Sequence, residues 1–153
     1  DVMGPEGIRT VQAKDFFLSQ LSTSISPYEI IVTINLPFWP NDRKWGFSEF
    51  SRRKGDYAMA GAAVWYDLNS NGEAFNIHIG LIGVGEKPIR LSQAEDKLEN
   101  KKLSQPLIED VVIDCLAQIS FQSDINANEN YRRSLMSEMI LNAFSQASFT
   151  VNI

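Results

Sequence analysis

Residues 45–61 read WGFSEFSRRKGDYAMAG, and the fold turns on how this run divides. Aromatic rings at Trp45, Phe47, Phe50 and Tyr57 surround three successive cations, Arg52, Arg53 and Lys54, while Gly55 and the carboxylate of Asp56 close the cluster. After it, residues 58–68 (AMAGAAVWYDL) read as a strand, and before it residues 29–36 (EIIVTINL) alternate with enough β-branched side chains to be another. A loop held at both ends by strands is rigidly mounted, and such loops carry function. Function is therefore sought in this turn, with a strand beginning near Trp45, and the remaining chain reads as its scaffold.

Outward from that run, Pro37 and Pro40 end the first strand, because proline cannot donate to a ladder. DLNSNGE, residues 67–73, supplies the Asn and Gly of a tight hairpin, and residues 74–83 (AFNIHIGLIG) are the returning strand. Such short connections give an antiparallel meander of three to four strands. Gly80, Gly83 and Gly85 do not make a dinucleotide fingerprint, which needs a helix directly after the glycines; here the chain runs into Pro88 and an extended segment. Close backbone packing or a bulge accounts for them better.

From Ser92 the pattern becomes helical. Ser92 and Glu95 have capping-box spacing before a short charged helix, and Pro106 suits the first turn of the next, whose Ile108, Val112, Cys115 or Leu116, and Ile119 share a face. A last helix over about residues 129–148 places Leu135, Met139, Ile140, Ala143 and Phe144 in one buried stripe. Strands first and helices last, without βαβ alternation, predict an α+β fold with about three helices on one face of the sheet.

Residues 1–26 hold a Gly-Pro-Glu-Gly turn and the Phe16-Phe17 pair, and read as the tail of something upstream rather than a compact start. The 153 residues, 44% apolar and 22% charged, suit one globular domain. A formal net charge of −5 without a basic tract argues against nucleic acid. The single cysteine, Cys115, forms no internal disulfide and reads as a small core residue, which favours a cytoplasmic protein. No apolar run reaches the ~18 residues that cross a bilayer.

His78 is the only histidine, so a multi-histidine metal site is excluded; it shares a strand face with Asn76 and Gly80, and a solvated or locally bonded ring is expected. Cys-x-x-Cys pair, nucleophile elbow and Walker loop are all lacking, so no autonomous catalytic constellation is read. The RRKGD turn keeps two readings open. One is a solvated hairpin with local ion pairs; the other, favoured by its rings, is a surface for a planar conjugated ligand beside guanidinium groups.

Taken in order, these segments resemble the C-terminal domain of the flavin-bearing subunit of the molybdenum hydroxylases, the family of xanthine dehydrogenase and carbon monoxide dehydrogenase. GPEGIRTVQAKDFF resembles the close of the preceding FAD-binding domain, and TSISPYEIIVTINLP the family's T-x-L-x-x-x-E-I strand, with Ile25 for leucine. FSEFSRRKGDYAMAGAAV is similar to its R-x-x-x-D-x-A segment, KPIRLSQAEDKL to its link into the helices, and NYRRSLMSEMILNAF to its final Y-R-x-x-L helix.

The resemblance implies that residues 1–20 end the preceding FAD-binding domain and residues 21–150 form the C-terminal domain, a lid over the isoalloxazine of FAD. Its implied cofactor-binding residues are Trp45, Phe47, Arg52, Arg53, Asp56 and Tyr57, with Tyr57 near the ring and Asp56 tying the loop down through Arg52 or Arg53. Tyr131 and Arg132 are expected to pin the last helix near its start. Some relatives carry a lysine just before the arginines, where this chain has Ser48 or Glu49, so NAD-reducing acceptor chemistry is not implied. Implied partners are upstream FAD-binding domains and iron–sulfur and molybdopterin subunits, through which electrons reach FAD and a final acceptor. The chain alone is expected to be inactive. An alternative function is a non-catalytic module that docks partner subunits, its turn being only a salt-bridged hairpin.

Overall fold

The computed structural model describes residues 1–53, 55–123 and 127–149. Two compact units divide it, Asp1–Trp39 and Pro40–Ile153. The break falls within the LPFWPND run, downstream of the division after residue 20 that the resemblance implies.

In the first unit β1 (Val2–Gly4) and β2 (Gly7–Arg9) form a hairpin through the Gly-Pro-Glu-Gly turn. The one-turn α1 (Ala13–Phe16) leads into β3 (Phe17–Ser19), which pairs with β4 (Ser22–Thr23). β5 (Ile30–Ile31) joins β1 antiparallel, giving the order β2-β1-β5. Residues 1–26 are thus built into one compact unit with residues 27–39, where the sequence suggested no compact start. A contact distant in sequence holds them: Arg9 Nε and Nη2 donate to the Glu29 carboxylate at 2.7 and 2.8 Å, and Nη2 also to the Ser24 carbonyl at 2.9 Å. The Ser26 amide adds a bond to Glu29 at 2.8 Å, and Arg9 first, Ser26 second, lower the carboxyl pKa to about 2.

The strand expected over residues 29–36 is a correction. Only Ile30–Ile31 enters a ladder, and its partner is β1, in a sheet separate from the one that carries residues 45–61. The alternating pattern continues past Ile31, where the Val32 and Thr33 amides reach the Asp1 carbonyl at 3.0 and 3.4 Å and the Asp1 nitrogen donates to the Thr33 carbonyl at 2.8 Å, outside the named strand.

The second unit is the expected meander: β6 (Lys44–Phe50), β7 (Ala60–Leu68), β8 (Ala74–Ile82) and β9 (Ile89–Arg90), antiparallel and neighbours in chain order. α2 (Ser92–Leu98), α3 (Gln105–Leu116) and α4 (Glu129–Phe149) follow. Period-two alternation turns Ala60, Ala62, Val64 and Tyr66 of β7, and Ile77, Ile79 and Leu81 of β8, into the core. There they meet Leu98, Ile108, Val112, Leu116, Met136, Ile140, Ala143 and Phe144 from the helices. Cys115 is buried among them, and burial pushes its thiol pKa up.

Small residues let α4 lie close to the sheet: a Cβ built on Gly46 would stand 2.0 Å from the Ala143 carbonyl oxygen. The outer edge of β6 is partly covered too, since the Phe47 amide donates to Gln146 Oε1 at 3.1 Å. The capping box does not form. Leu91 is the N-cap of α2 and makes no side-chain cap bond. Glu95 turns to the sheet instead, accepting the Ile79 amide at 2.7 Å and the Arg90 guanidinium at 3.0 and 2.5 Å. A buried strand amide and a guanidinium together offer that carboxylate more than a helix end does.

Candidate functional site

Residues 51–59 connect β6 to β7 as a turn whose tip is open and whose base is clamped. Arg52, Arg53, Gly55 and Asp56 are exposed, and Tyr57 is 99% exposed. The Asp56 amide donates to the Arg53 carbonyl at 3.1 Å, with Gly55 at φ +93°, the sign that the third residue of a type II turn needs. Ser51 Oγ adds a bond to the same carbonyl at 3.0 Å. Lys54, the third cation of the run, lies outside the described residues.

The base is Met59. Its amide donates to the Phe50 carbonyl at 2.8 Å, and its own carbonyl accepts Arg132 Nη1 from α4 at 3.0 Å. Gly83, at φ +82°, lies against that carbonyl, where a Cβ would stand 2.5 Å from the oxygen. Close backbone packing, one of the two readings given for the glycines, thus holds at Gly83; an added Cβ at Gly80 would find only Ala63 O, at 3.9 Å, and at Gly85 nothing within 4 Å. Arg132, 9% exposed, is a structural pin near the start of α4, and it fastens the exit of the turn. Tyr131 beside it is 46% exposed.

Trp45 and Phe47 stand on the sheet face opposite the helices, 49% and 46% exposed. Trp45 begins the strand that ends at the turn. Six residues of extended chain, at ~3.3 Å each, separate it from the turn by roughly 20 Å. The structure brings Arg52, Arg53, Asp56 and Tyr57 together on one turn, leaves Phe47 mid-strand and sets Trp45 at the far end.

At that far end Trp45 lies opposite Trp65, whose ring stacks on His78 with centroids 3.6 Å apart and planes 14° from parallel. The Arg43 guanidinium carbon lies 4.0 Å from the Trp65 ring, and Arg43 makes a bidentate pair with Asp67 at 2.8 and 2.9 Å. Hydrogen bonds from Arg43 first, and from Asn76, hold the Asp67 carboxyl below its ordinary range against desolvation. Desolvation, then the Arg90 and Arg43 charges, lower the His78 pKa; Glu95 and Asp67 oppose them. His78 is thus held by stacking on Trp65 rather than left in solvent. Its partner was missed because an irregularity between Trp65 and Asp67, with Asn76 at φ +54°, shifts the register after the hairpin. Counting back from the DLNSNGE turn brings Trp65 within one residue of it.

Two hollows lie away from the turn. One of about 390 Å³ runs between α3 and α4 beside Ser104, Ile108, Glu138 and Phe144, and one of about 450 Å³ in the first unit is bordered by Gly4, Arg9, Tyr28 and Glu29. None of the candidate residues lines either. Among the described residues no helix is long and apolar enough to cross a membrane.

The profile of the CO dehydrogenase flavoprotein C-terminal domain family matches residues 45–147. The nicotine 6-hydroxylase medium subunit of Paenarthrobacter nicotinovorans is 33% identical over 147 residues, 96% of this chain and 51% of that protein. The glyceraldehyde dehydrogenase medium chain of Sulfolobus acidocaldarius is 31% identical over 142 residues, 93% of this chain and 50% of that one. Among solved structures, carbon monoxide dehydrogenase from Hydrogenophaga pseudoflava superposes with a TM-score of 0.87 at 28% identity, covering 96% of this chain and 51% of the matched chain. The chain therefore spans about half the length of the relatives it matches. A profile match that runs from Trp45 in β6 to Ala147 in α4, with that superposition, places this chain in the CO dehydrogenase flavoprotein C-terminal domain family.

Proposed function

We propose that this chain is the C-terminal lid domain of the flavoprotein component of a molybdenum hydroxylase, with the turn of residues 51–59 laid over the isoalloxazine of FAD. The turn carries the reading: Arg52, Arg53 and Tyr57 project from a tip whose base is fixed at Met59 by Phe50, Arg132 and Gly83. Two guanidinium groups beside an accessible phenol ring suit one side of a flat, electron-rich group. They do not surround it, and neither hollow is bordered by them. The chain thus covers a cofactor held mainly by the polypeptide that its relatives have and it does not span.

Bound FAD supplies acceptance and release of electrons. Tyr57 presents its ring at the edge of the isoalloxazine, Arg52 and Arg53 offset negative charge there, and Asp56 holds the tip in shape through one of them. Phe47 borders the approach, and Trp45, at the far end of β6, meets neighbouring polypeptide. Residues 1–20 close the preceding FAD-binding domain. Iron–sulfur and molybdopterin subunits are the partners, in the cytoplasm.

In the complete flavoprotein, Arg52→Gln with Arg53→Gln is expected to shift the flavin absorption bands and slow reoxidation about tenfold while subunit association is kept. An unchanged spectrum and rate with failed association would replace this reading by the docking module. Exposed apolar side chains in the first unit, Ile34, Leu36 and Phe38, favour that second reading.

A further inference from the structure

The connection between β7 and β8 holds the only Asn-Gly step in the sequence, Asn71-Gly72. Both residues are exposed, and Gly72 stands at φ +76° with open space where a Cβ would lie. The step matters chemically. In Asn-Gly the backbone nitrogen of the glycine reaches the carboxamide carbon of the asparagine with no Cβ beside it, so a succinimide ring closes faster there than at other asparagines.

The asparagines of this hairpin are not equivalent. Asn69 is locked: its Oδ1 accepts the Asn71 and Glu73 amides at 2.9 and 3.0 Å, and its Nδ2 donates to Glu73 Oε2 at 2.8 Å. Ring closure there would break all three bonds, and the residue that follows is Ser70, with a Cβ. Asn76 donates Nδ2 to Asp67 at 2.9 Å and precedes the β-branched Ile77. Among the described residues none hydrogen-bonds the Asn71 carboxamide. The nitrogen beside it is tied by one bond, from Gly72 N–H to the Asn69 carbonyl at 2.9 Å, at a tip open to water.

We propose that Asn71 is a site of spontaneous deamidation and that its product loosens the β7–β8 hairpin. The Gly72 nitrogen, losing its proton to hydroxide, bonds to the side-chain carbonyl carbon of Asn71; the bond from that carbon to Nδ2 breaks and ammonia leaves. Water then opens the succinimide at either carbonyl. One opening gives aspartate, and the other gives isoaspartate, whose main chain runs through the former side chain and is one carbon longer. The single bond on the Gly72 amide slows the attack relative to an unfolded chain without preventing it. A lengthened tip cannot keep both of its closing bonds, Gly72 N–H to the Asn69 carbonyl at 2.9 Å and Asn69 N–H to the Glu73 carbonyl at 3.0 Å. Ala74 comes next: its amide donates to the Lys101 carbonyl and its carbonyl accepts the Asn100 amide, each at 2.8 Å. Loosening of the tip therefore reaches the segment between α2 and α3. The site is independent of what the turn at residues 51–59 covers.

The test ages the folded protein at mildly alkaline pH and follows its peptides by mass spectrometry, beside the same protein held in denaturant. The peptide that holds residues 69–72 is expected to gain one mass unit before any other, with fragmentation placing isoaspartate at position 71. No gain in the folded protein while the denatured control converts would overturn the proposal, as would a first gain at Asn69 or Asn76. Asn71→Gln, whose longer side chain closes no such ring at that rate, is expected to lose the gain; a gain that persists in it would also overturn the site. Amide exchange at Ala74 and Asn100 is expected to quicken at least about threefold in the aged protein and to stay unchanged in the aged Asn71→Gln protein. Equal exchange in aged and fresh protein would overturn the loosening. Asn71→Asp carries the new charge without the extra carbon and is expected to exchange as fresh protein does; an equal quickening there would overturn the lengthened main chain as the cause.

Discussion

Replacing Gly46 by alanine adds one methyl group where the strand and α4 touch through their backbones. The added carbon would stand 2.0 Å from the Ala143 carbonyl oxygen, 2.9 Å from its carbonyl carbon and 3.0 Å from the Ala147 nitrogen, whereas ordinary contact begins near 3.4 Å. None of these atoms belongs to a flexible side chain, so the helix must retreat by more than an ångström or the strand must bend. Retreat loosens Met136, Ile140, Ala143 and Ala147, each fully buried. Overpacking of this kind costs about 3 kcal/mol, more than the ~0.4–1 kcal/mol that alanine gains over glycine by stiffening the unfolded chain. In a domain of this size that lowers the melting temperature by about 10 °C, read by calorimetry or far-ultraviolet circular dichroism. Gly85→Ala is the control, since an added Cβ there meets nothing within 4 Å. A Gly46→Ala protein melting within about 2 °C of the control would refute the close approach, and with it the seating of α4 that brings Arg132 to Met59.

Two further outcomes concern titration. The His78 pKa lies below its ordinary 6.5, so the folded state favours the neutral ring; its contribution is intact above pH 6.5 and is lost as pH falls from there toward the folded value. Proton NMR should place the His78 midpoint below that of a free imidazole, with Trp65 fluorescence changing in the same window; a midpoint at or above 6.5 would contradict the stacked, desolvated ring. Glu29, lowered from 4.5 to about 2, supports the first unit above pH 4.5 and loses that support as pH falls toward 2. Glu29→Gln should weaken the first unit at pH 7 and flatten its acid response between pH 4.5 and 2, followed through the exchange of the Ser26 and Val32 amides.

The meander and its helices were legible because they rest on local rules. Alternation from Ala60 to Leu68, the Asn69–Gly72 turn, and the spacing of Ile108, Val112 and Leu116 each need only a few neighbouring residues to decide. What escaped depends on partners far away in the chain. Glu95 left its expected cap for Ile79 and Arg90, 16 and 5 residues back. The first unit is tied together by Arg9 reaching Glu29 across 20 residues. In residues 29–36 the alternation predicted one strand, but only Ile30–Ile31 forms a ladder, because a pattern states which face is to be buried and not which chain buries it. The paired strand is Ile30–Ile31 on β1, and beyond it Val32 and Thr33 hydrogen-bond Asp1.

The same distinction bears on the candidate site. The resemblance put six residues, Trp45 to Tyr57, into one cluster, but a strand is a ruler: it carries Trp45 to the end of the sheet where Trp65, His78 and Arg43 gather, and delivers Arg52, Arg53, Asp56 and Tyr57 to the other. Conversely, two segments that looked separate, the R-x-x-x-D-x-A turn and the Y-R-x-x-L helix, meet across 73 residues where Arg132 donates to the Met59 carbonyl. A guanidinium at 9% exposure is costly to desolvate, and placing it against the one carbonyl that ends the turn keeps the exit of that turn fixed while its tip stays open. The two motifs therefore act as one device, an accessible arginine and tyrosine tip on a base that the last helix does not allow to move.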